Sequence, residues 1–277
     1  MKKIIALLTV FVLIITAGCA NKGIINDPDT GLITPEEPEF TYTDGKYIVY
    51  TDYYDPAGYA AAIQLIVTEG IITQSNFDIF DTKLNRYTKT EDEALLDSAE
   101  ALRTEIKSLN THLMQAQSST GLKSVSEYGS YYIILVRQAI KNAAEGVNTP
   151  TAVSLRQEYR AEAQDTSQEN TPPLISGLTA AFMGDEIISL NFSQTMEGKR
   201  VQDWPNIYPS VEQEEEYTYS RAIALINEMP ENSESLIKES PCERAKALFN
   251  TYNTLAEEIT KRHKKFEANY SSLFSNL

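Results

Sequence analysis

Residues 59–87 read YAAAIQLIVTEGIITQSNFDIFDTKLNRY, and the class of fold turns on what this stretch becomes. Tyr59, Ile63, Ile66, Gly70, Thr73, Phe77, Phe80, Leu84 and Tyr87 recur at alternating intervals of four and three. Such a stripe marks one face of an amphipathic helix, of roughly 45 Å at 1.5 Å per residue. The rhythm continues downstream. Leu95, Ala99, Leu102, Ile106, Leu109 and Leu113 repeat it, and Val125, Tyr128, Tyr132, Leu135 and Ala139 make a wider stripe. Ala245, Leu248, Tyr252, Leu255 and Ile259, then Phe266, Tyr270 and Leu273, predict a long last helix with a stutter near His263.

Helix starts agree with these stripes. Asp55-Pro56, Thr149-Pro150, Thr171-Pro172 and Ser240-Pro241 each place a capping side chain before a proline, where the missing N–H costs nothing. Thr90 with Glu93, Ser124 with Glu127, and Ser210 with Gln213 have the spacing of a capping box. Seven starts predict seven helices, the one from Pro150 to about residue 164, around Tyr159, being short and polar. Long striped helices with short connections predict an all-α fold, an antiparallel bundle over 40–277. Residues 164–171 would be a hinge between two halves, 55–165 and 171–277. The one strand-like segment is Phe40–Tyr54, where Asp44-Gly45 fits the turn of a short N-terminal β-hairpin. Thr68-Glu69-Gly70-Ile71-Ile72 and Gly184-Asp185-Glu186-Ile187-Ile188 share a faint likeness, too slight to define a repeat at this level.

At the N-terminus, Lys2 and Lys3 precede an unbroken apolar run from Ile4 to Ile15, followed by Thr16, Ala17, Gly18 and Cys19. The run falls short of the ~20 residues a bilayer core needs, and its flanks are those of a cleavable leader. Residues 1–19 resemble the precursors of bacterial lipoproteins. The resemblance implies cleavage after residue 18 and a diacylglycerol on Cys19 that anchors the protein to a membrane. Because Ala20 is not the aspartate that retains such proteins inside, it also implies the outer membrane in a Gram-negative cell. In a Gram-positive cell it implies the outer face of the cell membrane. Residues 19–39, acidic and proline-rich, read as a flexible tether.

Of 24 Lys and Arg, Lys2 and Lys3 fall in the leader, leaving 22 against 39 Asp and Glu. A surface of this sign repels nucleic acid and anionic headgroups. With Cys19 acylated, Cys242 has no intrachain partner, so an exported domain here folds without disulfides.

Chemistry is thin. There are two histidines, with no Glu-x-x-His, His-Glu-x-x-His, Gly-x-Ser-x-Gly or phosphate-binding glycine loop. No metal or cofactor is expected. Cys242 sits where a helix N-terminus lowers a thiol pKa, but His263 lies ~31 Å along what reads as one helix. His112 has no support as its base, and Glu243 beside the thiol opposes ionisation. Glu69, Arg137 and Asp185 each interrupt an apolar stretch. They are candidates for a polar site between helices, against the commoner circumstance of charges at a helix's solvent edge. Six of the 16 tyrosines lie between Tyr42 and Tyr59. Tyr47, Tyr50, Tyr53, Tyr54 and the loop residue Trp204 are candidate contacts for a partner, although a lone hairpin must also bury one face. The expectation is a non-catalytic binding or scaffold protein of the envelope, alternatively a small-molecule carrier with an inter-helix pocket.

Overall fold

From Ala60 to Val67 every residue but Gln64 is apolar, and all but Ile66 are buried. A run so continuous suits a strand covered on both faces. In the computed structural model Ala60–Thr68 (β4) and Ile71–Phe80 (β5) are antiparallel strands, not a helix. They are joined by Glu69 and Gly70, at φ of 54° and 75°. Two consecutive left-handed residues give the turn twist that matches paired strands, and glycine adopts it without strain.

The structure describes residues 24–26, 33–35, 41–165, 172–201, 219–230, 232–241, 243–270 and 273–274. The chain divides into two units, Met1–Phe40 and Thr41–Leu277. In the first, Ile24–Asn26 (β1) pairs antiparallel with Ile33–Pro35 (β2). The second holds, among its described residues, four α-helices and eight strands in two four-stranded sheets.

The first sheet has the order β5-β4-β3-β6, with Gly45–Thr51 as β3 and Thr151–Val153 as β6. Two helices, Leu96–Ala116 (α1) and Glu127–Glu145 (α2), cover one face. Tyr47, Val49, Ile63, Leu65, Phe77 and Ile79 meet Leu102, Leu109, Leu113, Tyr132, Leu135 and Val136 there. The second sheet has the order β10-β9-β8-β7. Its strands are Arg156–Asp165 (β7), Leu174–Met183 (β8), Glu186–Met196 (β9) and Lys199–Arg200 (β10). Tyr219–Ile226 (α3) and Lys246–Arg262 (α4) cover one face of it.

The two halves are built alike. In β4–β5 the pairing passes from Val67↔Ile72 to Ile66↔Gln74, leaving Thr73 as a bulge. In β8–β9 it passes from Phe182↔Ile187 to Ala181↔Ser189, leaving Ile188 as a bulge. Each bulge stands at the same distance from a two-residue turn. In this frame Tyr47 corresponds to Tyr159, Leu65 to Ala180, and Phe77 to Phe192. The second helix of each half carries the same buried spacing, Tyr132, Leu135, Val136, Ala139 against Tyr252, Leu255, Ala256, Ile259. Phe77 meets Tyr132 edge-on at 5.4 Å, and Phe192 meets Tyr252 edge-on at 5.6 Å.

Past α4 the chain returns to the first sheet. Tyr54 N–H donates to Lys264 C=O at 2.9 Å, and Phe266 N–H donates to Asp52 C=O at 2.8 Å. Phe266, Tyr270 and Phe274 then cover the face opposite α1 and α2, on Tyr50, Tyr54, Ala60, Ala62 and Phe80.

The all-α bundle of seven helices, and the description as a helical bundle, are therefore overturned. The starts at Asp55-Pro56 and Thr149-Pro150 lead into strands: Asp55 accepts from the N–H of Ala57 and Tyr59 in a turn before β4, and Pro150 precedes β6. Pro172 precedes β8, while Thr171 and the Ser210–Gln213 pair lie outside the described residues. The residues around Tyr159 form β7, whose sequence RQEYRAEAQD alternates buried and exposed over Gln157–Glu162. The Asp44-Gly45 hairpin is not made: Lys46–Tyr50 is strand, but it pairs with β4, and residues 41–43 are not strand. The stutter at His263 is the end of α4. Of the predicted helices, those over α1, α2 and α4 are present.

Candidate functional site

Helix α1 buries Ala99, Leu102, Ile106, Leu109 and Leu113. That face sets Asn110 and the residues at its end against β5, which is an edge strand. Gln117, the left-handed C-cap at φ 50°, turns its amide back onto the sheet. Its Oε1 accepts from Ile72 N–H at 2.7 Å, and its Nε2 donates to Ile72 C=O at 3.1 Å. Asn110 Nδ2 donates to Ser75 C=O at 3.1 Å, while its Oδ1 accepts from Tyr132 OH at 2.6 Å. At the far end of β5 the buried Asp78 carboxylate accepts from Ile79 N–H at 2.9 Å, Thr88 OH at 2.6 Å and Arg86 Nε at 2.7 Å. The edge is thus closed by side chains at both ends, which confines open-strand pairing to the short stretch between them.

Between these closures lies a groove of about 630 Å³. Phe77, Ile106 and Met114 supply apolar walls, and Asn110, Arg103 and Lys107 the polar ones. Arg103 is held by Thr88 C=O at 2.8 Å and by Glu100. Lys107 is exposed and makes no ion pair among the described residues. The charged lining of the groove is cationic, and with Arg103 paired to Glu100 it is Lys107 that offers a negative group a local partner in an otherwise acidic chain.

A second notable arrangement joins the halves. His263 is sandwiched between Tyr53 at 4.2 Å and Phe182 at 4.0 Å, with Nδ1 3.4 Å from Tyr159 OH. Its Nε2 is buried without a hydrogen bond. Burial pushes the imidazole down to about 4, against the Gly184 carbonyl and the Asp185 carboxylate, which favour the cation. Tyr159 OH itself donates to Tyr54 C=O at 2.6 Å. Asp55 is buried nearby. Burial raises its carboxyl, opposed by hydrogen bonds from Tyr59 N–H, Tyr128 OH and Ala57 N–H.

The charged candidates do not converge. Glu69 is exposed in the β4–β5 turn, Arg137 is exposed on α2, and Asp185 is exposed in the β8–β9 turn. Tyr47, Tyr53 and Tyr54 are core residues, and Tyr50 is half-buried, stacked on Tyr270 at 3.6 Å. The tyrosine-rich stretch therefore holds the fold together instead of presenting an aromatic surface. Trp204, Cys19 and Cys242 lie outside the described residues.

The groove residues were missed because they form no motif. Glu69-Gly70 was the available signal, since a hairpin turn there makes β5 a strand beside α1. Among the described residues no three His, Cys, Asp or Glu side chains are grouped to hold a metal ion. No helix among them is long and apolar enough to cross a membrane.

No family model matches the chain, and no curated protein matches it. Among solved structures, it is similar in part to the crystal structure of the CPE2226 protein from Clostridium perfringens. The identity is 24%, the match covers 41% of this chain and 98% of that one, and the TM-score is 0.37.

Proposed function

We propose that this chain is a lipid-anchored protein of a bacterial envelope that binds a partner protein without transforming it, through the groove between α1 and β5. The observation that carries the reading is the groove itself: an apolar-walled opening on a strand edge, rimmed by Arg103 and Lys107 in an acidic chain. Apolar walls with a few fixed polar groups are the usual construction of a recognition site. The leader and Cys19 supply the anchor. Two or more acyl chains hold a protein stably at a membrane without a spanning segment. A carrier site built from Glu69, Arg137 and Asp185 has no support, because the three stand in solvent on separate elements.

Two measurements test the reading. Radiolabelled palmitate should enter the protein in the source bacterium and fail to enter a Cys19→Ala variant. A photo-crosslinking residue at Met114 should give one discrete protein adduct in cells, lost when Lys107→Glu reverses the rim charge. An adduct indifferent to Lys107→Glu would remove the groove, and unlabelled wild-type protein would remove the anchor.

A further inference from the structure

The two halves differ at one equivalent point. In the second half, Phe192 N–H donates to Asn227 Oδ1 at 2.6 Å, and Asn227 Nδ2 donates to Phe192 C=O at 3.0 Å. One carboxamide thus satisfies both edge-facing groups of that strand residue. Phe77 stands at the same place in the first half, in the same register and against the equivalent buried tyrosine. Ser75 directs its C=O to the free edge, where Asn110 takes it. Strand groups alternate, so Phe77, two residues on, directs its N–H and C=O to that same edge. Among the described residues no side chain takes them, and Phe77 lines the groove.

What fits there follows from chemistry. A neighbouring N–H and C=O on one residue need a group offering acceptor and donor on the same side, as a primary carboxamide does. A trans secondary amide points its C=O and N–H in opposite directions and satisfies only one of the two. A whole added strand meets a ladder already occupied, because Asn110 holds Ser75 C=O and Asp78 holds Ile79 N–H. The protein uses the same two-point amide clamp elsewhere, from Gln117 onto Ile72 and from Asn253 onto Lys238. Around the Phe77 edge, Ile106 and Met114 offer contact to an apolar neighbour, and Arg103 and Lys107 to acidic ones.

We propose that the Phe77 edge receives the carboxamide of an Asn or Gln side chain carried on an acidic segment of a partner protein, occupying the place that Asn227 fills in the second half. This rests on the groove being the binding surface.

The test uses the full chain, isotope-labelled for NMR, and the acetylated hexapeptide Asp-Leu-Gln-Leu-Asp-Glu as probe. Phe77 N–H should exchange faster than Phe192 N–H in the free protein. The peptide should shift and protect the Phe77 amide while leaving Phe192 unmoved. Its affinity should fall about tenfold when its Gln is replaced by Glu, and about tenfold with Lys107→Glu, each near 1.4 kcal/mol. An N-acetylated disaccharide, whose amides are trans, should not shift Phe77. Equal binding by the Gln and Glu peptides would overturn the carboxamide and leave the groove standing. Silence of Phe77 towards the Gln peptide at about 10 mM, with the Met114 crosslink intact, would also overturn the carboxamide alone. Silence together with loss of that crosslink would overturn both.

Discussion

Gly129 shows how little room a single position leaves. A Cβ there would stand 2.2 Å from Glu105 Oε1 and 2.5 Å from Ser124 Oγ. That carboxylate cannot swing away freely, because it accepts from Ser124 OH at 2.9 Å, Val125 N–H at 2.8 Å and Ser126 OH. Burial pushes the Glu105 carboxyl up, and these hydrogen bonds outweigh it and leave it below its ordinary value. Gly129→Ala is expected to cost about 1–3 kcal/mol, the loss of hydrogen bonds to a charged group, read as a lower urea midpoint. His263 makes a second residue-scale case. Its folded pKa of about 4 lies below the ordinary 6.5, so between those values the unfolded chain binds a proton that the folded one refuses. Stability therefore falls as pH drops from 6.5 towards 4 and is unaffected by this group above that window. Asp55, raised by burial, acts in the opposite sense. His263→Phe keeps the stack and removes the imidazole, so its urea midpoint should fall less than wild type between pH 7 and 4.5.

At the scale of elements, free edges are governed by amides. Asn227→Ala should release the Phe192 edge, costing about 1–3 kcal/mol for unpaired backbone groups and raising light scattering through strand-to-strand association. Gln117→Ala should do the same at Ile72. The helices were legible where one face alone is buried. Leu102, Ile106, Leu109 and Leu113 mark α1, and Ser126, two residues after the expected cap at Ser124, accepts from Gly129 N–H to open α2. The strands were not. β4 lies between helices and the C-terminal segment, so Ala60–Val67 shows no alternation, and intervals of three and four can be picked from any nearly unbroken apolar run. β7 does alternate, yet Thr149-Pro150 has the form of a helix start, because a cap before proline serves a turn into a strand equally well. The two Ile-Ile stretches both follow hairpin turns but stand one residue out of register, Ile71-Ile72 matching Glu186-Ile187, so their likeness in sequence does not mark the equivalent positions. The groove had no comparable trace, since its meaning lies in Phe77's edge, a backbone property that depends on pairing.

On the whole molecule, the acidic balance is plain in the composition, whereas the doubling of one plan emerges only from register. The halves are fastened twice, through the His263 stack and through residues 264–274 on the first sheet. Phe266 is almost fully buried among Tyr50, Tyr54, Phe80 and Tyr270. Phe266→Ala is expected to cost about 3–5 kcal/mol, read by urea denaturation, and to raise binding of an apolar dye at the uncovered sheet.

That fastening also sets a timetable for biogenesis. At roughly 5–20 residues per second, some 10–40 seconds separate translation of Phe80 from that of Phe266. Throughout that interval the first sheet lacks the cover that Phe266 and Tyr270 give its second face, so that face closes only after a segment far along the chain has been made.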